Sequence, residues 1–343
     1  MEVSSLAVQR LSMARWQAAG ASGGDVLGAL AYGTMAGGPA PRGSDQVMHI
    51  TARLLSDGGP QVDVWRSSGE VEAGRSGDVR WWRDANWLFG TVDLDEARHD
   101  MGFEEISRRA YKDIFATLTH GGRPHLLRVW NYVPRINGDG GGLERYRQFN
   151  AGRQQAFLEA RRPVLEGAPA ACALGTPSGP LSIRFLAGRA EPVPVENPRQ
   201  VSAYRYPRDY GPSAPTFSRA ALASLGDGRV ALLISGTASI VGHASVHPGD
   251  VRAQTRETLR NLQAVIDSAR TRCNAPFDIG ALDCVVYVRD PADAPAVRET
   301  LVQHLGASSH SLRNAVVVQA DICRSDLLVE IEAHAVAAGA LLA

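Results

Sequence analysis

Six prolines fall between Glu191 and Pro215: Pro192, Pro194, Pro198, Pro207, Pro212 and Pro215. Proline fixes φ and lacks a backbone N–H, so this stretch forms neither a regular helix nor a central strand. It divides a chain of 343 residues into two parts, each long enough for a domain. The expected division is 1–190 and 191–343, with 191–215 as the linker.

The second part has the clearer pattern. Arg229–Ser235 reads as a buried strand. Asp250 is a good N-cap for a helix whose Leu259, Leu262, Ile266 and Ala269 form one stripe. Leu282–Val288 is a strand, Ala294–Leu305 a helix stopped by Gly306, and Ala315–Ala320 and Asp326–Val336 two more strands. This order implies a layered sheet with two helices on one face, hence an α+β fold. In the first part, strands are expected at Val47–Leu54, Gln61–Trp65, Trp87–Val92, Leu126–Tyr132, Ala170–Leu174 and Leu181–Ala187. Helices are expected at Phe103–Leu118 and Leu143–Arg161. Residues 1–45, rich in Gly and Ala, read as a loosely structured lead-in.

Apolar residues make up 44% and charged ones 21%, with zero formal net charge. Such a chain buries a core and has no electrostatic reason to bind nucleic acid. No apolar run approaches the roughly 20 residues of a membrane helix, and no secretory pattern opens the chain. A cytoplasmic protein with a small-molecule partner is expected; the oligomeric state is not readable. Lys112 is the only lysine among 36 basic side chains, so an anion site would be built from Arg. Cys172, Cys273, Cys284 and Cys323 include no C-x-x-C pair. Nucleotide-binding glycine motifs, G-x-S-x-G and paired-histidine metal motifs are missing too, so neither cofactor nor metal is expected.

Three features carry chemistry. On the last strand Glu330, Glu332 and His334 alternate with Val329, Ile331 and Ala333. Such a polar face is either solvated or turned into a pocket, where a desolvated Glu is a general acid. On the Leu143–Arg161 helix, Tyr146, Asn150 and Arg153 share a face suited to a carboxylate, or simply to water. Gly138, Gly140, Gly141 and Gly142 precede it, in a loop that turns sharply or approaches something closely. Tyr204, Tyr206, Tyr210 and Arg219 form an aromatic, basic segment where two domains would meet.

Residues 229–336 resemble the RidA/YjgF-like enamine/imine deaminases, on HPGDVRAQTRETLRNLQAVIDSA (His247–Ala269), VYVRD (Val286–Asp290) and VEIEA (Val329–Ala333). From about residue 125 the chain more closely resembles the chorismatases. The blocks are NYVPRING (Asn131–Gly138), LERYRQFNAGR (Leu143–Arg153), Tyr204–Ala220, SGTASIVGHAS (Ser235–Ser245) and ADICRSDLLVEIE (Ala320–Glu332). That resemblance implies two domains with the site between them and chorismate as substrate. It puts the acid on Glu330 and the substrate's carboxylates on Tyr146, Arg153, Tyr206 and Arg219. Gly236 and Cys323 match the branches that release hydroxybenzoate: the glycine as an open pocket floor, the thiol as a proton relay. The expected products are 3-hydroxybenzoate and pyruvate. The alternatives are a hydrolase giving the dihydroxycyclohexadiene carboxylate, a producer of mixed 3- and 4-hydroxybenzoate, and an imine deaminase relying on Arg324. Glu332 is expected to tolerate change.

Overall fold

The computed structural model describes residues 4–19, 24–33, 47–50, 52–56 and 58–342. Three main sheets build it, beside a two-stranded ribbon of Ile240–Val241 and Ala244–Ser245. A six-stranded sheet takes Val193–Val195, Ala220–Ser224, Arg229–Ala238, Val329–Ala338, Asp283–Val288 and Val316–Gln319 in that spatial order. A seven-stranded sheet orders Asp321–Ile322, Ala170–Thr176, His125–Pro134, Leu181–Gly188, Trp87–Leu94, Val79–Arg83 and Glu72–Ser76. A four-stranded sheet orders Leu6–Ser12, Gln61–Ser67, Val26–Tyr32 and Val47–Ile50. The fold is α+β, as expected.

The layering follows from period-2 side-chain alternation. In Arg229–Ala238, Val230, Leu232 and Ile234 pack under helices Val251–Arg270 and Ala294–Leu305, while Ala231 and Leu233 point the other way. Asp250 caps the first of these helices by accepting from Ala253 N at 2.9 Å. Helices Phe103–Gly121 and Arg145–Glu159 cover the outer face of the seven-stranded sheet. The inner faces of all three sheets meet in one core that includes Leu30, Trp65, Trp130, Leu174, Leu233 and Tyr287. Each large sheet thus carries its helices on one face. The linker contributes one edge strand, Val193–Val195, with Pro194 where no ladder bond to a further strand is needed. No described helix is long and apolar enough to cross a membrane.

The reading of residues 1–45 needs correction. Leu6–Ser12 and Val26–Tyr32 are strands, with the short helix Met13–Ala18 between them; residues 34–46 lie outside the described residues. Val26–Tyr32 is buried along its whole length, so it shows no polar alternation. Its Gly28 is required by a close approach: a Cβ there would meet the Phe89 ring. The hairpin Glu72–Ser76 and Val79–Arg83 was likewise not anticipated.

These first strands dock on the C-terminal sheet through a buried ion pair. Arg10 donates to both Asp63 oxygens at 2.7 Å, and its Nη1 also donates to Cys284 O and Asn314 O. Burial alone would raise the Asp63 pKa, but Arg10 outweighs it and holds the carboxyl below its ordinary range. Truncating one partner leaves the other charge buried and alone. Asp63→Ala should therefore cost about 3–5 kcal/mol in chemical denaturation; a loss under 1 kcal/mol would show that Arg10 finds water instead.

Candidate active site

A cavity of about 490 Å³ opens where the linker, the start of helix Arg145–Glu159 and the closing strand Val329–Ala338 converge. That is ample for a small ligand. Six of the seven expected residues line it: Tyr146, Tyr206, Arg219, Gly236, Cys323 and Glu330. Arg153 stands behind the lining, buried, with Nη2 donating to Asn150 Oδ1 at 2.8 Å and its guanidinium over Phe149. Tyr204 is not in the wall; Arg205 stacks on its ring.

The face carrying Glu330, Glu332 and His334 is not solvated. The helix side of the closing strand is taken by Val329, Ile331, Ala333 and Ala335, so the polar side chains point into the space between the sheets. Glu330 is 3% exposed. Among the described residues none makes a hydrogen bond or ion pair with its carboxyl. Burial first and the neighbouring Glu332 second push its pKa up to about 8, against Arg128 and Arg289. At neutral pH it therefore carries a proton and faces the cavity.

Gly236 sits at a break in register. Ile234 pairs with Ala333 and Thr237 with Ile331, so one extra residue bulges out. Ser235 pins the bulge: its Oγ donates to Ser218 O at 2.5 Å and accepts from Ala171 N at 2.8 Å. A Cβ on Gly236 would overlap Glu330 Oε1 and come within 2.7 Å of Glu330 Cδ. The glycine's free space is thus filled by the acid rather than left as an open floor.

Arg219, 5% exposed, donates from Nη2 to Tyr206 Oη and to Val201 O, each at 2.8 Å. With its oxygen accepting from Arg219, the Tyr206 hydroxyl keeps its own proton for an anion in the cavity. Burial raises the Tyr146 phenol well above its ordinary pKa, so it too stays a donor. Burial, with the Glu330 charge second, pushes the Cys323 thiol up to about 12. Cys323 is therefore a thiol that can pass a proton, not a thiolate nucleophile.

Cys323 reaches the cavity through an unexpected crossing. After Val316–Gln319 in the six-stranded sheet, Asp321–Ile322 pairs with Leu174 and Gly175 of the other large sheet before the chain returns to Val329. Arg289 fastens the crossing, donating to Asp321 Oδ1 at 2.6 Å and to Arg324 O at 2.8 Å.

The wall also holds Arg147, Tyr210 and Arg324. Arg324 Nη1 donates to His243 O at 2.8 Å, and its guanidinium lies 4.0 Å from the Tyr210 ring centre. Arg147 follows Tyr146 directly, as Arg324 follows Cys323; adjacency was the available signal. The glycine loop turns at Gly141 and Gly142, both at positive φ, and none of its glycines lines the cavity. Four guanidiniums in or just behind the wall, with a neutral carboxyl facing the same cavity, suit a dianion that must be protonated.

The chain is similar to known proteins over most of its length. Residues 63–187 match the family described as Chorismatase FkbO/Hyg5-like, N-terminal, and residues 216–337 the family Endoribonuclease L-PSP. A chorismatase of Streptomyces rapamycinicus is 38% identical over 281 residues, covering 79% of this chain and 81% of that protein. A 3-hydroxybenzoate synthase of Streptomyces hygroscopicus is 36% identical over 283 residues, covering 80% and 81%. A chorismatase crystal structure superposes with a TM-score of 0.82 at 30% identity, covering 97% of this chain and 99% of that one. The chain therefore belongs to the chorismatase family, with an L-PSP, RidA-like domain as its C-terminal part.

Proposed function

We propose that this protein converts chorismate to 3-hydroxybenzoate and pyruvate. The observation that carries the reading is Glu330, a buried carboxyl held neutral at about pH 7 on the wall of a cavity lined with arginine and tyrosine. Chorismate carries two carboxylates and an enol ether, so it asks for cations and one acid. Arg219, Tyr206 and Tyr146, with Arg153 behind them, hold the carboxylates.

Glu330 gives its proton to the side-chain methylene, so that pyruvate departs as the ketone and not as its enolate. The ring 4-hydroxyl attacks C3 as the C3–O bond breaks, closing an epoxide and returning its proton to Glu330. Opening at C4 leaves oxygen on C3, and loss of the C3 proton restores aromaticity. The Cys323 thiol passes a proton to the epoxide oxygen and is reprotonated from the ring. The two products contain every atom of chorismate, so no water is consumed.

The test is incubation with chorismate, with pyruvate followed by a coupled assay and the ring product by chromatography. Pyruvate with mainly 3-hydroxybenzoate is the expected result. Pyruvate with only the dihydroxycyclohexadiene carboxylate would make the protein a hydrolase, and no pyruvate would overturn the reading.

A further inference from the structure

The reaction above leaves unused a buried carboxylate that neighbours the acid. Glu332 lies two residues past Glu330 on the same inward face of the closing strand and is 3% exposed. Sequence alone made it dispensable; the structure holds it from two sides. Its Oε2 accepts from Arg128 Nη2 at 2.6 Å, and its Oε1 accepts from the Tyr287 hydroxyl at 3.0 Å. Arg128 is itself fixed, with Nη1 donating to Ile234 O at 2.7 Å, immediately before the bulge that makes room for Glu330. At about 3.3 Å of rise per residue the two glutamates leave the strand some 6–7 Å apart. Cys172 flanks them from the opposing strand, its Cβ against Gly236. Charges at that separation interact strongly when water is excluded.

We propose that Glu332 is a positioning residue for the acid: clamped by Arg128 and Tyr287, it presents a fixed negative charge that keeps the proton on Glu330. The proposal rests on the reading of Glu330 as the acid. The other groups that bear on Glu330 are Arg128 and Cys172 from the opposing sheet, Arg289 from the end of the neighbouring strand, and Cys323; the cavity it faces also holds Glu144, Arg147, Arg219, Arg324 and Asp326 in its wall. Burial is the larger cause of the raised pKa; among the charged neighbours Arg128 and Arg289 favour the ionised acid and neither cysteine is charged, so Glu332 supplies the opposing charge. With Glu332 neutral, Arg128 would face Glu330 uncompensated, and the proton would leave at lower pH.

The experiment is the pH profile of kcat at saturating chorismate, read by pyruvate release. In Glu332→Gln the alkaline limb should move toward acid by about one unit or more, with activity recovered at low pH. In Arg128→Met/Glu332→Gln the limb should return part of the way. A merely structural Glu332 would lower kcat at every pH and leave the limb in place, and that result overturns the proposal. If only the double variant folds, a limb below that of the wild type supports the proposal and an unmoved limb overturns it. Glu330→Gln is measured alongside. If it turns over normally, the acid reading fails; if it is inactive while the Glu332→Gln limb stays put, only the present inference fails.

Discussion

Turnover should fall by about 10²–10⁴-fold when Glu330 becomes Gln, the range set by losing a general acid. The amide keeps the size of the carboxyl and fits the space above Gly236, but it has no proton to give to carbon. Folding should be intact, because no described residue depends on that carboxyl for a hydrogen bond. Pyruvate release and the thermal midpoint, measured on one preparation, separate lost chemistry from lost structure. The unmodified protein should show the matching pH dependence. As the proposed acid Glu330 acts in its protonated form, and in the free protein its pKa is raised to about 8, so kcat/KM should hold level below that pH and decline above it. Near-normal release by the Gln variant would move the acid elsewhere.

Arg219→Ala should show the largest loss in binding. The guanidinium is desolvated, braced by Tyr206 and Val201, and sits in the cavity wall. Removing one partner of such a pair costs about 2–5 kcal/mol, which is roughly 30-fold to several thousand-fold in Kd. Arg219→Lys should restore only part of it, since a point charge replaces a planar fork. Arg153→Ala should cost less than Arg219→Ala, because Arg153 acts from behind Tyr146 and Asn150. Calorimetry of chorismate against these changes in the Glu330→Gln background gives affinities free of turnover. Unchanged affinity in Arg219→Ala would place the carboxylates outside this cavity.

What the sequence revealed follows from how each element meets its neighbours. Arg229–Ser235 and Leu282–Val288 are apolar runs bounded by breakers, and the stripe ending at Ala269 lies on a capped helix, so the C-terminal layers were legible. Val26–Tyr32 was not, because a strand rich in Gly and Ala and buried on both faces looks like a Gly/Ala-rich tail. The alternation at Glu330, Glu332 and His334 was visible, but alternation does not say what the polar face meets. Here it meets another sheet, a tertiary fact with no local signal. Tyr146, Tyr206, Arg219 and Glu330 stood out as residue types on one face or in one segment, but their roles, and the pairing of Gly236 with Cys323, came from the family resemblance, since no spacing links Cys323 to the linker. Arg147 and Arg324 enter the wall only because the linker and the crossing strand bring their segments together.

The volume above Gly236 is shared property: what the glycine lacks, the Glu330 carboxyl occupies. This makes the two positions epistatic. An alanine at 236 does not simply narrow this cavity; it displaces the carboxyl of the proposed acid, Glu330. Their effects should not add, as expected for groups in direct contact. The Glu330 carboxyl must find a new rotamer before a methyl group at 236 is tolerated.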